Sequence, residues 1–165
     1  MPVRRRPKLA RVSAGRGPAR STPRTRVVRL RMPSRRNAVA ATVDHVIEAV
    51  RDVGLPAGRL QDLAVAVSEA LSNAAVHGNR QHHDSDVLIR VEVTPQARAV
   101  VDVKDAGEGF DVAALVDPTE PRHLLAPAGR GVYLMRRLVD EVRYNGKGNR
   151  VRLTMERRKP RRRRA

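Results

Sequence analysis

The sequence predicts an α+β fold, a two-layer α/β sandwich in which a mixed, mostly antiparallel sheet carries its helices on one face. Three observations predict it. The apolar periodicities follow the order β-α-α-β-β-loop-α-β-β, with strands in adjacent hairpins and helices in separate blocks. Two long stretches repeat apolar residues at helical spacing, whereas the remaining apolar runs alternate. Aromatic residues make up only 2% of the 165-residue chain, namely Phe110, Tyr133 and Tyr144, so one core must be built from Val, Leu, Ile and Ala.

Arg26–Met32 is rich in β-branched residues and reads as a strand that Pro33 ends. Ser34 is placed to cap a helix that runs through about Val53. Val39, Val43, Val46, Ile47 and Val50 fall on one side of it, and Gly54 stops it. A second helix runs from near Ala57 to His77-Gly78, with Leu60, Leu63, Val67, Leu71 and Ala74 along one side. Val87–Thr94 and Ala99–Lys104 read as a hairpin turned at Pro95-Gln96. Residues 105–129 hold three Gly and three Pro and read as a long loop with a short helix at Val112–Leu115. Arg130–Asp140 reads as a helix. Glu141–Asn145 and Arg150–Glu156 read as strands joined through Gly146-Lys147-Gly148-Asn149.

Charge divides the chain differently. The formal net charge is +17, yet residues 1–43 carry 13 Lys and Arg with no acid, and residues 157–165 carry 7 with no acid. Residues 44–156 therefore hold 14 basic against 17 acidic side chains. The predicted organisation is a disordered basic extension over 1–25, a folded domain over 26–156, and a disordered basic tail over 157–165. Such tails attract nucleic acid weakly through charge alone. Stacking aromatics are nearly absent and no recognition-helix or zinc pattern appears, so nucleic-acid binding through the basic tails is the less favoured alternative. The chain lacks cysteine, which excludes disulfides and thiolate metal sites and fits a cytoplasmic setting. No apolar run reaches the roughly 20 residues a membrane helix needs. His82 and His83 beside Asp84 make a poor tetrahedral set, and no zinc is expected. His45 reads as a surface residue of the first helix.

Three stretches carry candidate chemistry. In Glu69-Ala-Leu-Ser-Asn73-Ala-Ala-Val-His77-Gly78, positions 69, 73 and 77 share a helix face away from the apolar stripe. A carboxylate and an amide one turn apart suit a hard cation and a proton acceptor, although a solvated polar face has the same pattern. In Asp105-Ala-Gly107-Glu-Gly109-Phe110, a carboxylate at a strand end is placed to accept a hydrogen bond from a base amino group. Two glycines allow close approach of backbone to a ligand. An ordinary turn is the competing reading. In Ala128-Gly129-Arg130-Gly131-Val-Tyr133, a glycine-rich segment opens a helix, whose free amides favour phosphate. Arg130 adds a charge that serves either phosphate or solvent. The G-K-[ST] of a Walker loop is missing.

The three stretches, in this order and on these elements, resemble the GHKL ATPase superfamily, and within it most closely the bacterial anti-sigma-factor serine/threonine kinases. The resemblance covers about Val27 to Glu156 and neither basic tail. It implies that ATP and Mg²⁺ bind, with Asn73 as Mg²⁺ ligand, Glu69 as catalytic base and Asp105 bonding the adenine amino group. Gly107 and Gly109 would lie beside base and ribose, and Gly129 and Gly131 at the hinge of a phosphate-covering lid, Asp117–Ala128. The implied activity is phosphoryl transfer to a Ser or Thr of an anti-sigma-factor antagonist, together with control of a sigma factor. A homodimer is a further implication. The lid is short, carries Pro118, Pro121 and Pro127, and has no lysine cluster. ATP-dependent sequestration of a partner without catalysis is therefore the alternative.

Overall fold

The computed structural model describes residues 24–79, 84–112 and 130–157. Five strands form one sheet: β1 (Arg26–Pro33), β2 (Asp86–Thr94), β3 (Arg98–Lys104), β4 (Glu141–Tyr144) and β5 (Arg150–Glu156). Their order is β1-β2-β3-β5-β4, and every described pairing is antiparallel. The mostly antiparallel sheet of the sequence is thus antiparallel throughout these strands. Helices α1 (Val39–Val50), α2 (Ala57–Asn73) and α3 (Arg130–Leu138) supply the second layer.

Alternation along the strands decides which face the helices cover. One register row joins Val28, Val91, Val101, Leu153 and Val142 across all five strands; the next joins Leu30, Ile89, Val103, Val151 and Tyr144. These residues belong to or pack on the core, where Val46 and Val50 of α1, Leu63, Val67 and Leu71 of α2, and Met135 of α3 meet them. Burying a side chain of the size of Leu63 or Met135 stabilises the fold by about 1.5–3 kcal/mol. The opposite face carries the row Arg29, Arg90, Asp102, Arg152 and Arg143. There Asp102 accepts both Nε and Nη2 of Arg152 at 2.9 Å. That bidentate bond holds the Arg152 guanidinium above its ordinary pKa.

Four local features depart from the sequence reading. Ser34 does not cap α1. A 3₁₀ turn, Arg36–Ala38, precedes that helix without a side-chain cap, and the Ser34 hydroxyl donates instead to the Ser85 carbonyl at 2.5 Å. Helix α1 gives way to a second 3₁₀ turn, Arg51–Val53, and Gly54 then ends the run in the left-handed conformation, φ 66°. The hairpin turn spans residues 95–97, with Ala97 at φ 57°. Helix α3 stops at Leu138, because Asp140 turns its carboxylate to the Arg59 guanidinium and the Glu156 amide. The basic extensions, the short helix expected at Val112–Leu115 and the lid fall largely or wholly outside the described residues, as do His82 and His83.

Candidate functional site

The site forms where the end of α2, the end of β3 and the start of α3 meet. Glu69 and Asn73 stand one turn apart on α2, both half-buried. After Asn73 the helix continues as a π turn, Ala74–Gly78. A π turn takes an extra residue per turn and rotates its later residues off the α-helical face. His77 consequently points to solvent and leaves the face expected of it. Gly78 instead faces the carboxylate of Asp105. A Cβ there would lie 2.5 Å from Asp105 Oδ2 and 2.7 Å from Oδ1. Only a residue without a side chain leaves that space open.

Gly131 makes the corresponding gap at α3. A Cβ on it would lie 2.9 Å from Glu69 Oε2 and 3.2 Å from Asn73 Nδ2. The first turn of α3 therefore approaches the Glu69–Asn73 pair, and a helix N-terminus favours negative charge. Arg130 is the first residue of α3, and Gly129 lies outside the described residues.

The Asp105 loop is braced on two sides. Its own Gly107 amide donates to Asp105 Oδ1 at 2.9 Å. Burial pushes the Asp105 carboxyl above its ordinary value, against the opposing pulls of the Gly107 amide, Lys147 and Lys104. On one side Asn79, fully buried, accepts the Ala106 amide at its Oδ1 at 2.6 Å. On the other side buried Asn149 donates to the carbonyls of Asp105 at 3.4 Å and Gly107 at 3.3 Å, while its own carbonyl accepts the Asp105 amide at 3.1 Å. Gly109, at φ 81°, packs against the Lys147 carbonyl, and Gly148, at φ 77°, against Phe110. Phe110 meets Tyr144 edge to face with centroids 5.2 Å apart. Burial raises the pKa of the Tyr144 hydroxyl to about 12.

The structure thus gathers Glu69, Asn73 and Gly131 in one group, and Asp105, Gly107 and Gly109 in a second. Helix α2 and its π turn link the groups through Gly78. Sequence reasoning missed Asn79 and Asn149. The first directly follows the His77-Gly78 pair, and the second closes what looks like a plain Gly-rich connection. Neither has a spacing signal, because each acts through contacts distant along the chain. Among the described residues no three His, Cys, Asp or Glu cluster as a metal site. The arrangement instead suits a hydrated cation held by the Asn73 carboxamide, with Gly131 leaving the space in front of it. No described helix is long and apolar enough to cross a membrane.

Comparison with known proteins identifies the family and the fold. The histidine kinase-like ATPase domain family matches residues 32–155. The serine-protein kinase RsbW of Bacillus subtilis is 37% identical over 97 residues, which cover 55% of this chain and 60% of that protein. An anti-sigma F factor of Clostridium botulinum is 29% identical over 99 residues, 57% of this chain and 68% of that one. The chain thus spans less than two thirds of the length of the RsbW relative. The crystal structure of the RsbU and RsbW domains of a Mycobacterium tuberculosis protein superposes with a TM-score of 0.58 at 16% identity, covering 79% of this chain and 32% of that one. That likeness concerns the fold.

Proposed function

The chain belongs to the histidine kinase-like ATPase domain family, and from that premise we propose that it is a Mg-ATP-dependent serine/threonine kinase that phosphorylates an anti-sigma-factor antagonist and regulates a sigma factor. One observation carries this reading: Glu69 and Asn73 face the start of α3 across the gap at Gly131, while Gly78 of the same helical run seats Asp105. A single rigid segment thereby sets the distance between a phosphate end and a base end.

The Asp105 carboxylate accepts the adenine amino group, with Gly107 and Gly109 bringing backbone against base and ribose. The first turn of α3, with Gly129 and Arg130, holds the phosphates. Asn73 would hold Mg²⁺ through its side-chain oxygen, and the bound ion would supply neutralisation of phosphate charge. Glu69 orients the partner's Ser or Thr hydroxyl and takes its proton as that oxygen bonds to the γ-phosphorus. The bond from the γ-phosphorus to the β–γ bridging oxygen breaks, and ADP leaves with that electron pair. The kinase names of the relatives from Bacillus support the reaction type.

Two measurements test the reading. Calorimetric titration with Mg-ATP should show binding to the wild type and a loss of at least tenfold in affinity for Asn73→Ala. Label transfer from γ-labelled ATP to an antagonist of the same organism should fall about 10²–10⁴-fold in Glu69→Ala, with ATP affinity kept. Full transfer by Glu69→Ala would remove the base assignment. Stable capture of the antagonist without label would favour sequestration, the reading to which the short, proline-containing lid sequence points.

A further inference from the structure

We infer that Asn79 is a positioning residue that sets adenine selectivity by fixing the loop that carries Asp105; the inference rests on the nucleotide-site reading above. Asn79 makes no contact with the space in which a nucleotide would sit. It is 0% exposed, and all its side-chain polar atoms are engaged. Its Nδ2 donates to Ser34 Oγ at 2.6 Å and to the Ser85 carbonyl at 3.2 Å. Its Oδ1 accepts the Ala106 amide at 2.6 Å, and its own amide donates to the Ala74 carbonyl at 2.8 Å. One side chain thus ties the end of β1, the start of β2 and the π turn to the residue that directly follows Asp105.

The geometry explains why an asparagine is needed. The Ala106 amide requires an acceptor, whereas Ser85 offers a carbonyl that requires a donor. Ser34 uses its single proton on the same carbonyl, so its oxygen also requires a donor. Among side chains of this length, a primary amide meets all three demands without a buried charge. Its position matters because Gly78, one residue earlier, forms the floor beneath the Asp105 carboxylate. The floor and the tether are consecutive residues, so the carboxylate and its support move together. On the opposite side of the loop the Asn149 side chain makes longer bonds, at 3.3 and 3.4 Å, and its backbone carbonyl accepts the Asp105 amide at 3.1 Å.

A purely structural asparagine would lower stability and weaken every nucleotide alike. A positioning asparagine changes which base is preferred. The probes are Mg-ATP and Mg-inosine triphosphate, the latter presenting a carbonyl oxygen where adenine has its amino group. The wild type should bind ATP at least about tenfold more tightly, since a site built to accept a hydrogen bond rejects a ligand lacking the donor. In Asn79→Ala that ratio should fall to within threefold of unity, with inosine triphosphate affinity nearly unchanged. Asn79→Asp keeps an oxygen for the Ala106 amide but loses the donations to Ser34 and Ser85. It should lower the urea midpoint as Asn79→Ala does, yet preserve the ratio. If Asn79→Ala does not fold, Asn79→Ser, too short to reach the Ala106 amide, replaces it. A wild-type ratio in the Ala or Ser variant, or equal loss of the ratio in Asn79→Asp, overturns the inference and leaves the nucleotide site standing. Failure of the wild type to bind ATP overturns the nucleotide site itself.

Discussion

Helix α2 meets the rest of the fold differently at its two ends. Near its N-terminus, Arg59 is 8% exposed, and its guanidinium engages the Asp140 carboxylate and the Glu156 carbonyl. A cation in the first turn opposes the helix dipole, so the paired carboxylate must offset both that repulsion and the loss of water. Near its C-terminus the polar residues are half-exposed, and they face gaps held open by Gly78 and Gly131. One end joins helix to sheet with its charges paired within the protein, although buried Arg59 Nε has no hydrogen-bond partner among the described residues. At the other, the Glu69 and Asn73 side chains have no hydrogen-bond partner among the described residues, which leaves them for a ligand to engage. On the proposed reading of the site, stability and function are separated along about five turns of helix, and substitutions at the two ends should move different quantities.

The largest expected effect tests the closed end. Arg59→Ala strands the Asp140 carboxylate and should cost about 3–5 kcal/mol in urea unfolding, as removal of one partner of a buried pair does. Mg-ATP affinity, measured below the unfolding transition, should stay within threefold. A parallel loss of affinity would show that the two ends are not independent.

Gly78→Ala is the reciprocal test. The new methyl group occupies the space of the Asp105 carboxylate, which is a side-chain end able to swing away, so the fold survives. Alanine in a helical turn gains up to about 1 kcal/mol over glycine, which offsets part of the local crowding. ATP affinity should fall about tenfold or more, the value of a hydrogen bond to a charged group, while the urea midpoint changes little. A large fall in the midpoint with affinity intact would break the comparison.

Legibility in the sequence divides along the same line. The strands, both long helices and the residues of both site groups were readable, because periodicity records which face is buried and short motifs record which backbone must approach closely. Glu69 and Asn73 signal themselves by a spacing of four on one helix. The π turn was not legible. No pattern marks where a helix takes in an extra residue, so His77 was placed on a face that Gly78 turns toward instead. Ser34 misled for a related reason. Serine before a helix suggests a cap, but its hydroxyl is engaged by Ser85 and Asn79, partners that only the closed sheet brings near. Arg59, Asn79 and Asn149 share that blindness, as each bonds across 27 or more positions of chain.

The smallest expected effect is the sharpest, because it should improve the fold while harming the site. Burial raises the Asp105 carboxyl above 3.8, so the folded chain holds this proton more tightly than the unfolded chain does. Below the unfolded value both states are protonated, and Asp105 imposes no charge penalty. As pH rises from 3.8 through the raised folded value, the unfolded chain releases its proton first, and the fold loses stability; above that window the full cost remains. Asp105→Asn removes it. At neutral pH the variant should be more stable than the wild type by less than about 1 kcal/mol, given the half-exposed setting. Its stability should also lack the wild type's decline across that window in urea titrations at stepped pH. Adenine selectivity should disappear at the same time, because the amide can turn either an acceptor or a donor to the base. In the wild type, ATP affinity should weaken as pH falls through the same raised value, the acceptor being lost on protonation. An Asp105→Asn variant less stable than the wild type at neutral pH would mean that the carboxylate is as well met from within the protein as Asp140 is, and that the two ends of α2 differ less than their geometry indicates.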